Sequence, residues 1–146
     1  MADDVTLNKA ATIERCLRRV REEAAADPDL ADQTRQDAAV LNLQRACQAA
    51  IDLAMHRART GGARGRGGIP QTSRDAFRLL VESGDLPPDL GDRMQRMVGF
   101  RNVAVHDYQA VSLPVLRAIV AGHLGDFEAF VRWALRDGPP RPGGAA

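Results

Sequence analysis

From Leu113 to Arg136 the apolar residues fall on a single helical stripe: Leu116, Ile119/Val120, His123/Leu124, Phe127, Phe130/Val131 and Ala134/Leu135. Steps of three and four are the face that an α-helix buries; a strand, whose side chains alternate, has no use for them. An amphipathic helix of this length is held mainly by what covers its stripe, so the pattern calls for other helices to pack on it. Pro114 fits the first turn, where a missing N–H costs nothing.

The rest of the chain supplies those partners. A first helix is expected from about Thr6 to Ala26, with Ile13, Cys16/Leu17, Val20 and Ala24 on its stripe. Its other face, Glu14, Arg15, Arg18, Arg21 and Glu22, has i,i+4 opposite charges and reads as solvated. Asp27-Pro28-Asp29 ends it, because the residue before a proline is pushed out of the helical region. A long second helix spans about Asp32 to Arg59, with Val40, Leu43, Cys47, Ala50/Ile51, Ala54 and Ala58 inward. Its Asn42, Gln44, Gln48 and Asp52 are either polar flanks or residues of which some line a cleft near Arg101. A third helix begins at Thr72 or Ser73, good N-cap types, carries Phe77, Leu79, Leu80 and Val81, and stops at Gly84. Pro87-Pro88 turns the chain into a fourth helix that runs to about Val105. Nothing reads as a strand. The expectation is one all-α domain over residues 1–136, an up-and-down bundle of four to five helices, followed by a disordered Pro- and Gly-rich tail over residues 137–146.

Between Thr60 and Gln71 lies a Gly-rich basic loop. No Gly-Lys-Ser/Thr follows, so it is not a P-loop, and its glycine spacing is wrong for a dinucleotide fingerprint. Arg64 and Arg66 can reach a phosphate backbone, but with no aromatic nearby to stack a base the loop reads first as a linker. Aromatic residues make up only 4% of the chain, which leaves the core to Leu, Val, Ile, Ala and Met. Formal net charge is +1, so binding to nucleic acid has to come from local clustering. Cys16 and Cys47 sit at apolar phases with no CxxC pattern and are expected as buried free thiols of a cytoplasmic protein. No signal peptide and no membrane span is expected. His56, His106 and His123 show no metal-ligand spacing and no HExxH exists, so no metal and no cofactor is expected. His123, on an apolar stripe, reads as a core histidine.

The fourth helix ends in Arg101-Asn102-Val103-Ala104-Val105-His106-Asp107-Tyr108. Leu90, Met94, Met97 and Arg101 fall on one stripe, which puts a guanidinium in a core slot. An unpaired buried charge is very costly, so Arg101 needs a partner or a crevice. His106 lies about 140° round an ideal helix from Arg101. The two share a site only if the helix bends or ends near His106, or if a second chain contributes. Spacing alone favours an Arg paired with a carboxylate, a His at a helix end and a half-buried Tyr108.

The Arg-x4-His-x-Tyr pattern, with Asn102 after the Arg, resembles the signature of the HepT-like HEPN toxins. The resemblance extends over residues 5 to 136: Ile13 to Val20, Asn42 to Asp52, and Ser73 to Leu86 with Phe77, Leu79, Leu80 and Gly84 are similar to the family's successive helices. It implies a HEPN-type bundle that forms a homodimer, with Arg101 and His106 near the two-fold axis. It implies a metal-independent endoribonuclease acting as the toxin of a toxin–antitoxin system. Arg101 would neutralise the scissile phosphate of an RNA substrate, His106 would serve as general acid or base, and Asn102 would orient the phosphate or His106. Tyr108 would accept AMP from an MntA-like nucleotidyltransferase antitoxin that uses ATP, which silences the toxin. The alternative is a non-catalytic HEPN module that docks a nucleotidyltransferase or a nucleotide.

Overall fold

The structure, a computed structural model, describes residues 2–60 and 70–136. Arg64 and Arg66 of the basic loop and the expected tail over residues 137–146 lie outside the described residues.

Helix α1, Asp4–Ala26, starts where the Asp3 carboxylate accepts the Thr6 N–H at 2.8 Å. Helix α2, Gln33–Thr60, runs back along it. The antiparallel register is fixed by three cross-pairs: Asp3 with His56 at 2.7 Å, Lys9 with Asp52 at 3.1 Å, and Glu23 with Arg35 at 3.2 Å. Buried Ala39, Ala46, Ala49, Ala50 and Ala54 leave little between α2 and its neighbours. Helix α3, Ser73–Glu82, is capped by Thr72 and ends at Gly84, whose φ of +84° is open to glycine at no steric cost. Helix α4, Pro88–His106, packs tightly on α3: a Cβ at Gly91 would stand 2.3 Å from Val81 Cγ2. A short 3₁₀ turn, Tyr108–Ala110, leads to α5, Leu113–Gly122, and α6, Leu124–Leu135. The described residues contain no strand.

Ile13, Leu17, Leu43, Phe77, Met94 and Phe127 are fully buried at the centre of the bundle. Three of the six aromatics form one cluster. Phe77 meets Phe130 edge-on at 5.5 Å, Phe130 stacks on Trp133 at 5.3 Å, and Arg57 lies over the Trp133 ring at 4.7 Å. Trp133 Nε1 donates to the Asp85 carbonyl at 2.7 Å, tying α6 to the α3–α4 turn.

The expected fifth helix is two helices. The break falls at His123, flanked by Gly122 and Gly125, each of which weakens a helix by roughly 1 kcal/mol relative to alanine. The apolar stripe keeps its phase through the break, since Leu116, Ile119, Leu124, Phe127 and Phe130 are all buried, so periodicity gives no sign of it. His123 is not a core histidine. Its side chain is 48% exposed, and Nδ1 pairs with Asp126 at 3.1 Å.

Candidate functional site

Along α4 the buried stripe Leu90, Met94, Met97 continues into Arg101, as the sequence phase requires, and the Arg101 side chain is half-buried. Its partners are not carboxylates. Nε and Nη2 both donate to Gln48 Oε1 on α2, at 3.1 and 2.6 Å, and Nη1 donates to Asn102 Oδ1 at 2.6 Å. Gln48 is itself fixed, because its Nε2 donates to Asp52 Oδ1 at 2.9 Å, and Asp52 Oδ2 pairs with Lys9 at 3.1 Å. With its NH₂ held by Asp52, the Gln48 amide presents its oxygen to Arg101. The fork is therefore oriented by two neutral acceptors, and among the described residues no carboxylate forms an ion pair with it. An oriented, uncompensated guanidinium is suited to a phosphate. The neighbouring Cys47 thiol is pushed up to about 12 by burial, with Arg101 pulling the other way, so it stays a thiol and is no nucleophile. Cys16 and Cys47 are both buried and free, as expected.

Asn102 touches Arg101 rather than His106. Helix α4 continues without interruption through His106, its last residue, and ends when Asp107 N–H closes on the Val103 carbonyl at 2.8 Å. The separation of about 140° between Arg101 and His106 therefore persists. His106 is exposed and forms no hydrogen bond or ion pair with another described residue. Val103 and Val105 beside it are also exposed, at 39% and 48%. One copy of the chain thus brings Arg101 and Asn102 together and leaves His106 apart from them.

Tyr108 stands on the 3₁₀ turn, exposed rather than half-buried in a core, with its hydroxyl donating to Asp37 on α2. The same Asp37 oxygen accepts from Gln33 at 2.8 Å. Burial and the Asp37 carboxylate together push the Tyr108 hydroxyl up to about 12, so it is a phenol at neutral pH with a proton acceptor already in place. A hollow of about 290 Å³ opens beside it, lined by Gln33, Gln36, Gln109 and Val40 among others. Asp37 carries no sequence signal of its own: it sits near the start of α2, 71 residues from Tyr108. Gln48 and Asp52 stand out in the sequence only as polar residues within an apolar stripe.

No group of three or more metal-ligating side chains exists among the described residues, and none of the described helices is long and apolar enough to cross a membrane.

The family model described as ribonuclease HepT-like matches residues 10–133. The chain is 43% identical to the mRNA nuclease HepT of Shewanella oneidensis over 130 residues, 88% of this chain and 95% of that protein. Its fold is similar to the tri-AMPylated Shewanella oneidensis HEPN toxin in complex with MNT antitoxin, with a TM-score of 0.81, 42% identity, and coverage of 90% of this chain and 96% of that one. A toxin–antitoxin structure with AMP-PNP gives a TM-score of 0.80 at 41% identity, covering 90% and 98%.

Proposed function

The chain belongs to the HepT-like ribonuclease family, and from that premise we propose that it is the endoribonuclease toxin of a toxin–antitoxin pair. The observation that carries the reading is Arg101, half-buried and aimed by Gln48 and Asn102 with no carboxylate among the described residues to satisfy it. Such a cation binds a phosphodiester through two of its N–H groups and offsets the charge that builds on the non-bridging oxygens in the transition state. His106 takes the proton of the ribose 2′-hydroxyl or returns one to the leaving oxygen. The nucleophile belongs to the substrate, so RNA is cut and no metal is needed. Asn102 positions Arg101.

His106 and Arg101 are apart in one chain, so the active form is a homodimer in which each copy's His106 faces the other's Arg101 across the two-fold axis. Exposed Val103 and Val105 beside His106 are the kind of apolar surface such a contact covers. Sedimentation of the protein as a monomer that still cleaves RNA would end this arrangement.

Tyr108 is the acceptor for AMP from a nucleotidyltransferase antitoxin that uses ATP. Its hydroxyl oxygen attacks the α-phosphorus, the new O–P bond forms as the bond to pyrophosphate breaks, and the phenolic proton passes to Asp37. The added phosphate sits two residues from His106 and competes with RNA. The AMPylated toxin and the AMP-PNP complex among the solved relatives support this part. We place the pair in the cytoplasm.

The test is an RNA cleavage assay on wild type, Arg101→Ala and His106→Ala, together with intact mass of wild type and Tyr108→Phe after incubation with the antitoxin and ATP. Cleavage is expected to fall steeply in both variants, and a gain of AMP to appear only while Tyr108 is present. Cleavage by His106→Ala at the wild-type rate removes the nuclease assignment and leaves a module that only docks its partner.

A further inference from the structure

Between α1 and α2 runs an open groove of about 690 Å³, and of the polar α2 residues read as possible cleft lining, Asn42, Gln48 and Asp52 border it. From α1 it is lined by Lys9, Arg15 and Arg19, and from α2 by Asn42, Arg45 and Gln48. Two of the four cations are already engaged: Lys9 with Asp52, and Arg19 with Glu22 at 2.5 Å and Glu23 at 3.8 Å. Arg15 and Arg45 are exposed and pair with no carboxylate among the described residues. Both line the groove beside Cys16. The Cys16 thiol is raised by burial and drawn back down by both guanidinium charges. The groove also adjoins the site, because Gln48 lines the groove and holds Arg101.

We propose that this groove is the track along which the RNA strand leaves the cleavage site, with Arg15 and Arg45 holding successive backbone phosphates beyond the one at Arg101. The inference rests on the ribonuclease reading and extends it. A chain whose overall charge is only +1 has no long-range pull on RNA, so its affinity has to be concentrated where cations are left unneutralised. No aromatic residue lines the groove, so it offers bases nothing to stack on. It therefore grips the backbone and tolerates any sequence, while Arg101 and His106 determine where the strand is cut.

The test uses the full chain carrying His106→Ala, so that bound RNA is not cut, and a short labelled single-stranded oligouridylate. Anisotropy titrations over a range of salt concentrations give the slope of log affinity against log salt. Each phosphate that an arginine neutralises on a single strand accounts for roughly 0.7 of that slope. Adding Arg15→Gln and Arg45→Gln together is therefore expected to weaken binding and to flatten the slope by about 1.4. Arg132→Gln, an exposed arginine outside the groove, leaves the slope as it was. Both groove arginines are solvated and form no ion pair among the described residues, so melting of the double variant is expected to match that of its parent. A parent that binds no RNA overturns the ribonuclease reading and the groove with it. A double variant that binds with unchanged slope overturns the groove alone. If the double variant keeps its RNA affinity and instead loses its hold on the antitoxin, the groove is a protein-docking face and the proposal fails.

Discussion

Two arginines on α4, eight residues apart, have opposite surroundings. Arg93 lies between two carboxylates, with Nη2 at 2.8 Å from Asp89 and Nη1 at 2.7 Å from Asp126. Asp126 is only 6% exposed and also takes His123 at 3.1 Å, so Arg93 ties α4 to the start of α6. Arg101 bonds instead to the amide oxygens of Gln48 and Asn102. Both side chains are anchored in position. Arg93 has its charge cancelled and is left with a buried Nε that has no acceptor among the described residues. Arg101 has its geometry fixed and its charge left over. Carboxylates make an arginine part of the architecture; amides can aim one without neutralising it, and only the aimed one is ready for an incoming anion.

Removing each arginine in turn tests that contrast most severely. Arg101→Ala is expected to reduce RNA cleavage by about 10²–10³-fold, the scale of losing one preorganised charge stabiliser, while the melting temperature moves little. Arg93→Ala is expected to do the reverse. It strands the nearly buried Asp126 carboxylate with His123 alone, and since Arg93 itself is about one-third exposed the cost is about 2 kcal/mol of stability, below the figure for a fully buried pair. Cleavage per folded molecule is retained. If Arg101→Ala melts early and still cleaves, the roles have been assigned the wrong way round.

A subtler change turns one environment into the other. Gln48→Glu keeps the shape of the side chain but gives Arg101 a carboxylate, as Arg93 has. The guanidinium is then satisfied before substrate arrives. Cleavage is expected to fall about tenfold, the equivalent of roughly 1.4 kcal/mol of lost phosphate stabilisation. Little stability is lost, because the new ion pair offsets the like charge of Asp52 four residues away. Gln48→Ala, which frees the fork without neutralising it, lowers cleavage by weakening orientation and leaves the salt dependence of RNA binding intact. Equal salt dependence in the Glu and Ala variants would show that charge is not what separates the two arginines.

The sequence carries more of the scaffold than of the site, for physical reasons. Helical stripes repeat, so the phases of Ile13, Leu43, Met94 and Phe127 could be read from spacing, and so could the core slot occupied by Arg101. The break at His123 could not, because α5 and α6 keep one stripe in phase across it; the signal was the glycine on either side, which marks a weak helix rather than a certain break. Side-chain partners are harder still. Gln48 and Arg101 are separated by 53 residues and Asp37 and Tyr108 by 71, and nothing local in either residue names its partner. The expectation of a carboxylate for Arg101 failed because charge complementarity is the commonest answer for a structural arginine, which Arg93 is and Arg101 is not. The resemblance identified Arg101, His106 and Tyr108 as the residues of interest. It favoured some of Asn42, Gln44, Gln48 and Asp52 lining the cleft near Arg101, as Gln48 does, but did not single out Gln48 and Asn102 as the residues that aim it.

The smallest effect concerns a carboxylate beside a phenol. Burial and Asp37 raise the Tyr108 hydroxyl from an ordinary value near 10 to about 12. Because the folded value lies above the unfolded one, this contact favours the fold fully below about pH 10, and the benefit disappears as pH rises towards about 12. Tyr108 is the only tyrosine in the chain, so the ultraviolet absorbance of phenolate reports it without overlap from another residue. Wild type is expected to titrate at about 12. Asp37→Asn removes the carboxylate's share and leaves that of burial, so its midpoint falls between the two values. The same variant separates acidity from reactivity. A hydroxyl that has become easier to ionise should accept AMP faster if phenolate were what mattered, and slower if the proton must pass to Asp37 as the oxygen attacks. Slower transfer from a more acidic Tyr108 is the expected result. It would make Asp37 a proton acceptor, a third use of a polar partner beside the neutralising pair at Arg93 and the aiming amides at Arg101.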